Sequence, residues 1–184
     1  MPALHERLHF DTADGQVLDG PRRYVLMRAD VLMGLFDELP AAARAEALQA
    51  LGRAVAGRGA DSLRAYASEP GVNEEALLRV VESAAASLGW GRWQLRRDAA
   101  SLGLEVRNSP FAAAAAAGSG PACHAITGML QGLAGIVLGG AASATETACA
   151  RSNEGAGCCR FAARIDTLSP TDRQASLTPK ETNA

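Results

Sequence analysis

The chain has 184 residues, enough to bury a core of its own in one domain without disulfides. Hydrophobic residues make up 48% and charged residues 21%, a globular composition that excludes a disordered chain or a coiled coil. Lys and Arg total 18 against 20 Asp and Glu, and a net charge of −2 is too little positive charge for neutralising phosphates, so no direct nucleic-acid partner is expected.

Met1 to Phe10 carries His5, Glu6, Arg7 and His9 and no apolar run, so it does not read as a secretory signal. The most apolar stretch, Ala125 to Ala142, is studded with glycines and interrupted by Gln131, which suits a buried helix better than a membrane span. The cysteines, Cys123, Cys149, Cys158 and Cys159, all fall in the last third. A cytoplasmic protein is expected, and in a reducing compartment such clustering favours metal binding or catalysis over a disulfide framework.

After an unpatterned leader over residues 1–15, the short apolar runs Gln16-Val17-Leu18 and Arg23-Tyr24-Val25-Leu26-Met27 flank Asp19-Gly20-Pro21, a hairpin signal. Asp30 can cap a helix from Val31 to Glu38 with Leu32, Leu35 and Phe36 on one face, before Pro40 interrupts it. A second helix is expected from about Ala41 to Ala56, built on strong helix formers. Gly57 and Gly59 break it, and Ser62 to Ala67 reads as a further turn or two before the Pro70-Gly71 loop.

Asn73 can cap Glu74 to Leu88, whose Leu77, Leu78, Val81, Ala84 and Ala85 repeat at helical spacing. Trp93-Gln94-Leu95 and Leu104-Glu105-Val106-Arg107 alternate as two half-buried strands, the second ended by Asn108-Ser109-Pro110. Phe111 to Gly120 is too weakly patterned for more than a packed strand end and a loop. Helical spacing returns from Ala122 to Leu138. Ala144 to Ala150 and Arg160 to Ile165 read as strands joined by Ser152-Asn153-Glu154-Gly155, and residues 167–184 as a mobile polar tail. This order is α+β, an antiparallel sheet packed against helices.

Zinc takes about four ligands from Cys, His, Asp and Glu. Cys123, Glu146, Cys149 and one of Cys158 or Cys159 would supply that set, unless all four cysteines are buried small hydrophobes. Glu146 and Cys149 are three apart, so a bulge or a strand end is needed to aim both inward. Cys158 and Cys159 are adjacent, and alternation sends them to opposite faces. Gly128, Gly132 and Gly135 line one side of a helix, which permits close approach of a neighbouring element or of a ligand. Trp90, Trp93, Phe36, Tyr24, Met27, Met33 and Met129 are candidates for an apolar cavity or for plain core. His124 adjoins Cys123 but points about 100° away on a helix, which suits support of the site rather than ligation. No phosphate loop, dinucleotide fingerprint or nucleophile with a base partner appears, so no catalytic residues are assigned.

The run from Cys123 through Glu146-Thr-Ala-Cys149 to Cys159-Arg160-Phe161, with a Gly-Pro before it and Gly128, Gly132 and Gly135 in the intervening helix, resembles the 4-vinyl reductase domain family. The hairpin and helix start, together with Gly57, Gly59 and Tyr66, extend the resemblance over residues 16–166. It implies a fold related to the ligand-binding fold of the TRAPP vesicle-tethering subunits. It also implies a zinc cofactor near the C-terminal hairpin on Cys123, Glu146, Cys149 and Cys159, with Cys158 left out.

The family holds hydrocarbon-binding proteins, phenol and xylene sensor domains, and an accessory protein of bacteriochlorophyll synthesis. The resemblance therefore implies a homodimer that encloses a hydrophobic small molecule near Trp93, Gly128, Met129, Gly132 and Gly135 and reports or delivers it, its output passing through a partner protein. A tetrapyrrole carrier acting beside a vinyl reductase is the alternative. Phenol sensors hold their ligand with a Trp on the strand before the glycine-rich helix, and Leu104 to Asn108 has none. Reduction of a vinyl group by the chain itself ranks last, for want of a nicotinamide or flavin motif.

Overall fold

A computed structural model of the chain describes residues 3–116, 120–152 and 157–166. The stretch read as a leader joins the fold: α1 (Leu4–Arg7) buries Leu4, and β1 (His9–Asp11) pairs antiparallel with β2 (Gln16–Asp19). β2 turns back into β3 (Arg22–Tyr24) through Gly20, at φ 58. The second strand of this hairpin is shorter than expected, and Val25, Leu26 and Met27 run on exposed.

Helix α2 (Ala29–Asp37) buries Met33 and Phe36, while Leu35, expected on the inward face, is exposed beside Val31. Helix α3 (Ala41–Ala67) is continuous where a break was expected at Gly57 and Gly59. The reason is tertiary. α3 lies along α6 (His124–Val137), and a Cβ at Gly59 would fall 2.9 Å from the Cε of Met129, so that glycine is a site of close approach inside the helix. Asn73 caps α4 (Glu74–Ser87), its Oδ1 accepting the Ala76 N–H at 2.8 Å.

The second sheet has the order β4-β5-β7-β6 and is antiparallel throughout, formed by β4 (Arg92–Asp98), β5 (Ser101–Arg107), β6 (Ala142–Ala148) and β7 (Cys158–Ile165). Between β5 and α6 the chain makes a short helix α5 (Pro110–Ala114) where a strand end was expected. Ser109 caps it with Pro110 in its first turn, and Phe111 turns inward to meet Trp90 edge-on at 5.2 Å. Residues 117–119, 153–156 and the expected tail 167–184 lie outside the described residues.

Helix α6 sits between this sheet and α3, and Ile126, Leu130, Leu133 and Ala134 have no exposed surface. A helix covered on both sides is apolar nearly all round. The sheet contributes alternate residues to the same core: Trp93 pairs with Val106 and Val106 with Cys159, while Leu104 pairs with Phe161 and Phe161 with Glu146. No helix among the described residues is long and apolar enough to cross a membrane.

Candidate functional site

Three side chains from separate elements meet at the N-terminal end of α6. Cys123 is the residue just before that helix, Glu146 stands on β6 and Cys159 on β7, and their ligand atoms all lie within 4.8 Å of one another. The Cys123 and Cys159 sulfurs are 3.7 Å apart, both fully buried. The register between β6 and β7 shifts between Glu146 and Ala148, which is the irregularity needed for Glu146 and Cys149 to serve one side. Cys149, half-buried just past β6, is in hydrogen-bonding contact with Glu146 and Cys159. Cys158 belongs to the opposite face of β7 and is not in the cluster.

Backbone and hydroxyl groups brace these atoms. The Cys123 N–H donates to Glu146 Oε2 at 3.4 Å, and the Ala150 N–H donates to the Cys159 sulfur at 3.3 Å. The Ser109 hydroxyl, which caps α5, lies 3.2 Å from the Cys123 sulfur and is itself buried. Ser109 was passed over as a strand terminator, although a Ser directly before Pro is a helix-start signature.

Hydrogen bonding to Cys123, helped by the Ala150 N–H, lowers the Cys159 thiol, while the Cys123 thiol is driven up as the donor of that pair and by burial. Burial pushes Cys149 up to about 11, with Glu146 adding to the effect. Glu146 Oε1 is buried and has no hydrogen-bond partner. A buried carboxylate oxygen with nothing to bind, facing thiols, is costly unless a cation satisfies it. Cys123, Glu146 and Cys159 can hold a metal ion, with Cys149 beside them. His124 stays outside the cluster, its ring held below the ordinary value by burial.

A cavity of about 380 Å³, partly open to solvent, lies on the other side of α3. Its walls come from α3 (Val55, Gly59, Leu63, Tyr66) and α4 (Val81, Ala84, Ala85, Leu88). Trp90, Trp93 and Met129 close one end, and Leu4 and Tyr24 reach it from the N-terminal segment. Of the residues proposed for a cavity, Trp90, Trp93, Tyr24 and Met129 reach this one. Met33 and Phe36 are packed core, and Met27 is exposed.

The glycine-rich helix face is elsewhere. A Cβ at Gly128 would collide with the Gly52 carbonyl oxygen, one at Gly132 would fall 2.9 Å from that of Ala56, and one at Gly135 3.2 Å from that of Gly140. Of the two readings of that spacing, the structure has the close approach of neighbouring backbone, and none of the three glycines lines the cavity. The walls from α3 and α4 went unnoticed in the sequence, since their Val, Leu and Ala also read as core.

No curated protein matches the chain in sequence. Among solved structures 15 chains match. One is the crystal structure of the phenol-responsive sensory domain of the transcription activator PoxR with phenol, 19% identical, with a TM-score of 0.71 over 96% of this chain and 94% of that one. At that identity the likeness establishes a shared fold. Residues 102–165, from β5 to the end of β7 and including Cys123, Glu146, Cys149 and Cys159, match the 4-vinyl reductase domain family.

Proposed function

We propose that the chain is a zinc-braced binding domain that encloses a hydrophobic or aromatic small molecule for sensing or delivery. The observation that carries this reading is the apolar cavity of about 380 Å³ between α3 and α4, with Trp90 and Trp93 in its wall. Its arrangement fits the TRAPP-related ligand-binding fold. A dry cavity of about 150 Å³ takes benzene, so this one suits a ligand larger than the phenol to which the PoxR domain responds. Four such rings scale to about 600 Å³ on the same measure, which argues against the tetrapyrrole-carrier reading.

Zinc is the ion the donors suit. Two thiolates on one tetrahedral zinc, with bonds of about 2.3 Å, stand about 3.8 Å apart, against 3.7 Å between Cys123 and Cys159. Glu146 and Cys149 would complete a closed set that braces the end of α6 against the last hairpin, with no open position for catalysis. A second copy of the chain is proposed to cover the exposed apolar surface of Val25, Leu26 and Met27, which continues an edge strand, and of Val31 and Leu35 on α2.

The test of the binding reading is fluorescence of N-phenyl-1-naphthylamine, an apolar probe that brightens when enclosed. The wild-type chain should saturate with one probe per chain. Ala84→Trp, which fills the cavity from α4, should abolish the signal, and an unchanged signal in that variant would contradict the assignment.

A further inference from the structure

The cavity has one polar wall. Arg58, Ser62 and Tyr66 all line it, and they follow one another at i, i+4 and i+8 along α3, a single stripe of one helix face. The facing wall from α4, with Val81, Ala85 and Leu88, is apolar. Tyr66 OH accepts a hydrogen bond from Arg7 Nη2 at 2.8 Å, which leaves its own proton to donate elsewhere. Among the described lining residues Arg58 is the one charged group, and no carboxylate lines the cavity to neutralise it. Arg58 is exposed, at the end of the stripe away from buried Tyr66, so its stem can lie along the apolar wall while its guanidinium stays at the rim.

We infer that the ligand is a hydrophobic monoanion: an aromatic or hydrocarbon body seated against Trp90, Trp93 and the α4 wall, with a carboxylate held at the rim by Arg58 and assisted by the Ser62 hydroxyl. This rests on the binding reading above and specifies its ligand class. The chemistry is that of a planar guanidinium fork meeting two carboxylate oxygens, a pairing that an alcohol of the same shape cannot make. A neutral ligand would leave the Arg58 end of the stripe unused, whereas an anion without a large apolar body would leave the opposite wall dry and empty.

The experiment is calorimetric titration of the full chain, at pH 7.5, with 2-naphthoate and with the neutral 2-naphthylmethanol. The wild type should bind the carboxylate about tenfold more tightly than the alcohol, the scale of a charge-assisted hydrogen bond at a partly solvated rim. Arg58→Met should erase that preference while leaving the alcohol's affinity unchanged, and Arg58→Lys should keep part of it. If the two compounds bind the wild type equally, or the preference survives Arg58→Met, the anion assignment is overturned while the cavity reading stands. If neither compound binds the wild type, the cavity reading itself fails and the assignment with it.

Discussion

Trp93 and Cys159 stand on one cross-strand row, each in register with Val106 between them. Trp93 lines the cavity and Cys159 belongs to the thiol cluster, so the central strand β5 links the binding wall to the proposed metal brace through a single fully buried valine. Interiors are close-packed, and a change in position on one side of such a row is felt on the other. Stripping the metal with a chelator should therefore weaken binding of N-phenyl-1-naphthylamine several-fold and lower the folding stability by several kcal/mol, the direction expected when a structural ion contributes to folding. Parallel titration and urea denaturation of the metal-loaded and stripped chain would measure both.

Adjacent cysteines on β7 should behave differently. Cys159→Ser removes a sulfur that lies 3.7 Å from Cys123, and elemental analysis should find zinc lost from the purified variant. Cys158→Ser changes a buried side chain on the other strand face and should cost about 1 kcal/mol with zinc retained. Equal loss of zinc from both variants would remove the distinction.

Helix packing offers a test of opposite sign at two glycines. Gly128→Ala would drive a methyl into the Gly52 carbonyl oxygen, so α3 and α6 must separate, at a cost of about 3 kcal/mol or more. Gly57→Ala, on the same α3 but with nothing within 4 Å of the new methyl, should stabilise the chain by about 0.5–1 kcal/mol through helix propensity. Urea midpoints of the two variants give the comparison.

Arg7 ties the N-terminal segment to the cavity wall. Its guanidinium donates to both Asp19 oxygens, at 3.2 and 3.0 Å, and to Tyr66 OH, and it lies 5.2 Å from the centre of the Tyr66 ring. Asp19 is only 12% exposed, so Arg7→Met leaves a nearly buried carboxylate without its cation. The loss should be about 2 kcal/mol, less than the roughly 3–5 kcal/mol of a fully buried pair because both partners keep some solvent. Arg64→Met, which breaks an exposed pair with Asp61, should change stability by less than about 0.5 kcal/mol. Urea denaturation of both variants would measure the difference.

The parts legible in the sequence are those where local chemistry and tertiary context agree. Asn73 before an amphipathic run marks the start of α4, alternation marks β4 and β5, and apolar character on all sides marks α6. Local signals mislead where a distant contact decides. Gly57 and Gly59 read as breakers, yet α6 packed along α3 holds the helix through them. Leu4 carries no pattern in its short segment, and only contact with α4 and the cavity wall shows why it is buried. For the site, residue type and spacing suffice to nominate Cys123, Glu146, Cys149 and Cys159 as ligands. The polar stripe of Arg58, Ser62 and Tyr66 was hidden, because its meaning depends on the apolar wall that α4 sets against it.

The most direct measurement is a crystal structure of the chain grown with 2-naphthoate, with diffraction data collected above and below the zinc absorption edge. The account predicts an anomalous zinc peak among Cys123, Glu146, Cys149 and Cys159, and naphthoate density between α3 and α4 with its carboxylate at Arg58. An empty cavity with the naphthoate seated on the exposed surface of Val25, Leu26 and Leu35, or a thiol cluster without anomalous signal, would contradict it.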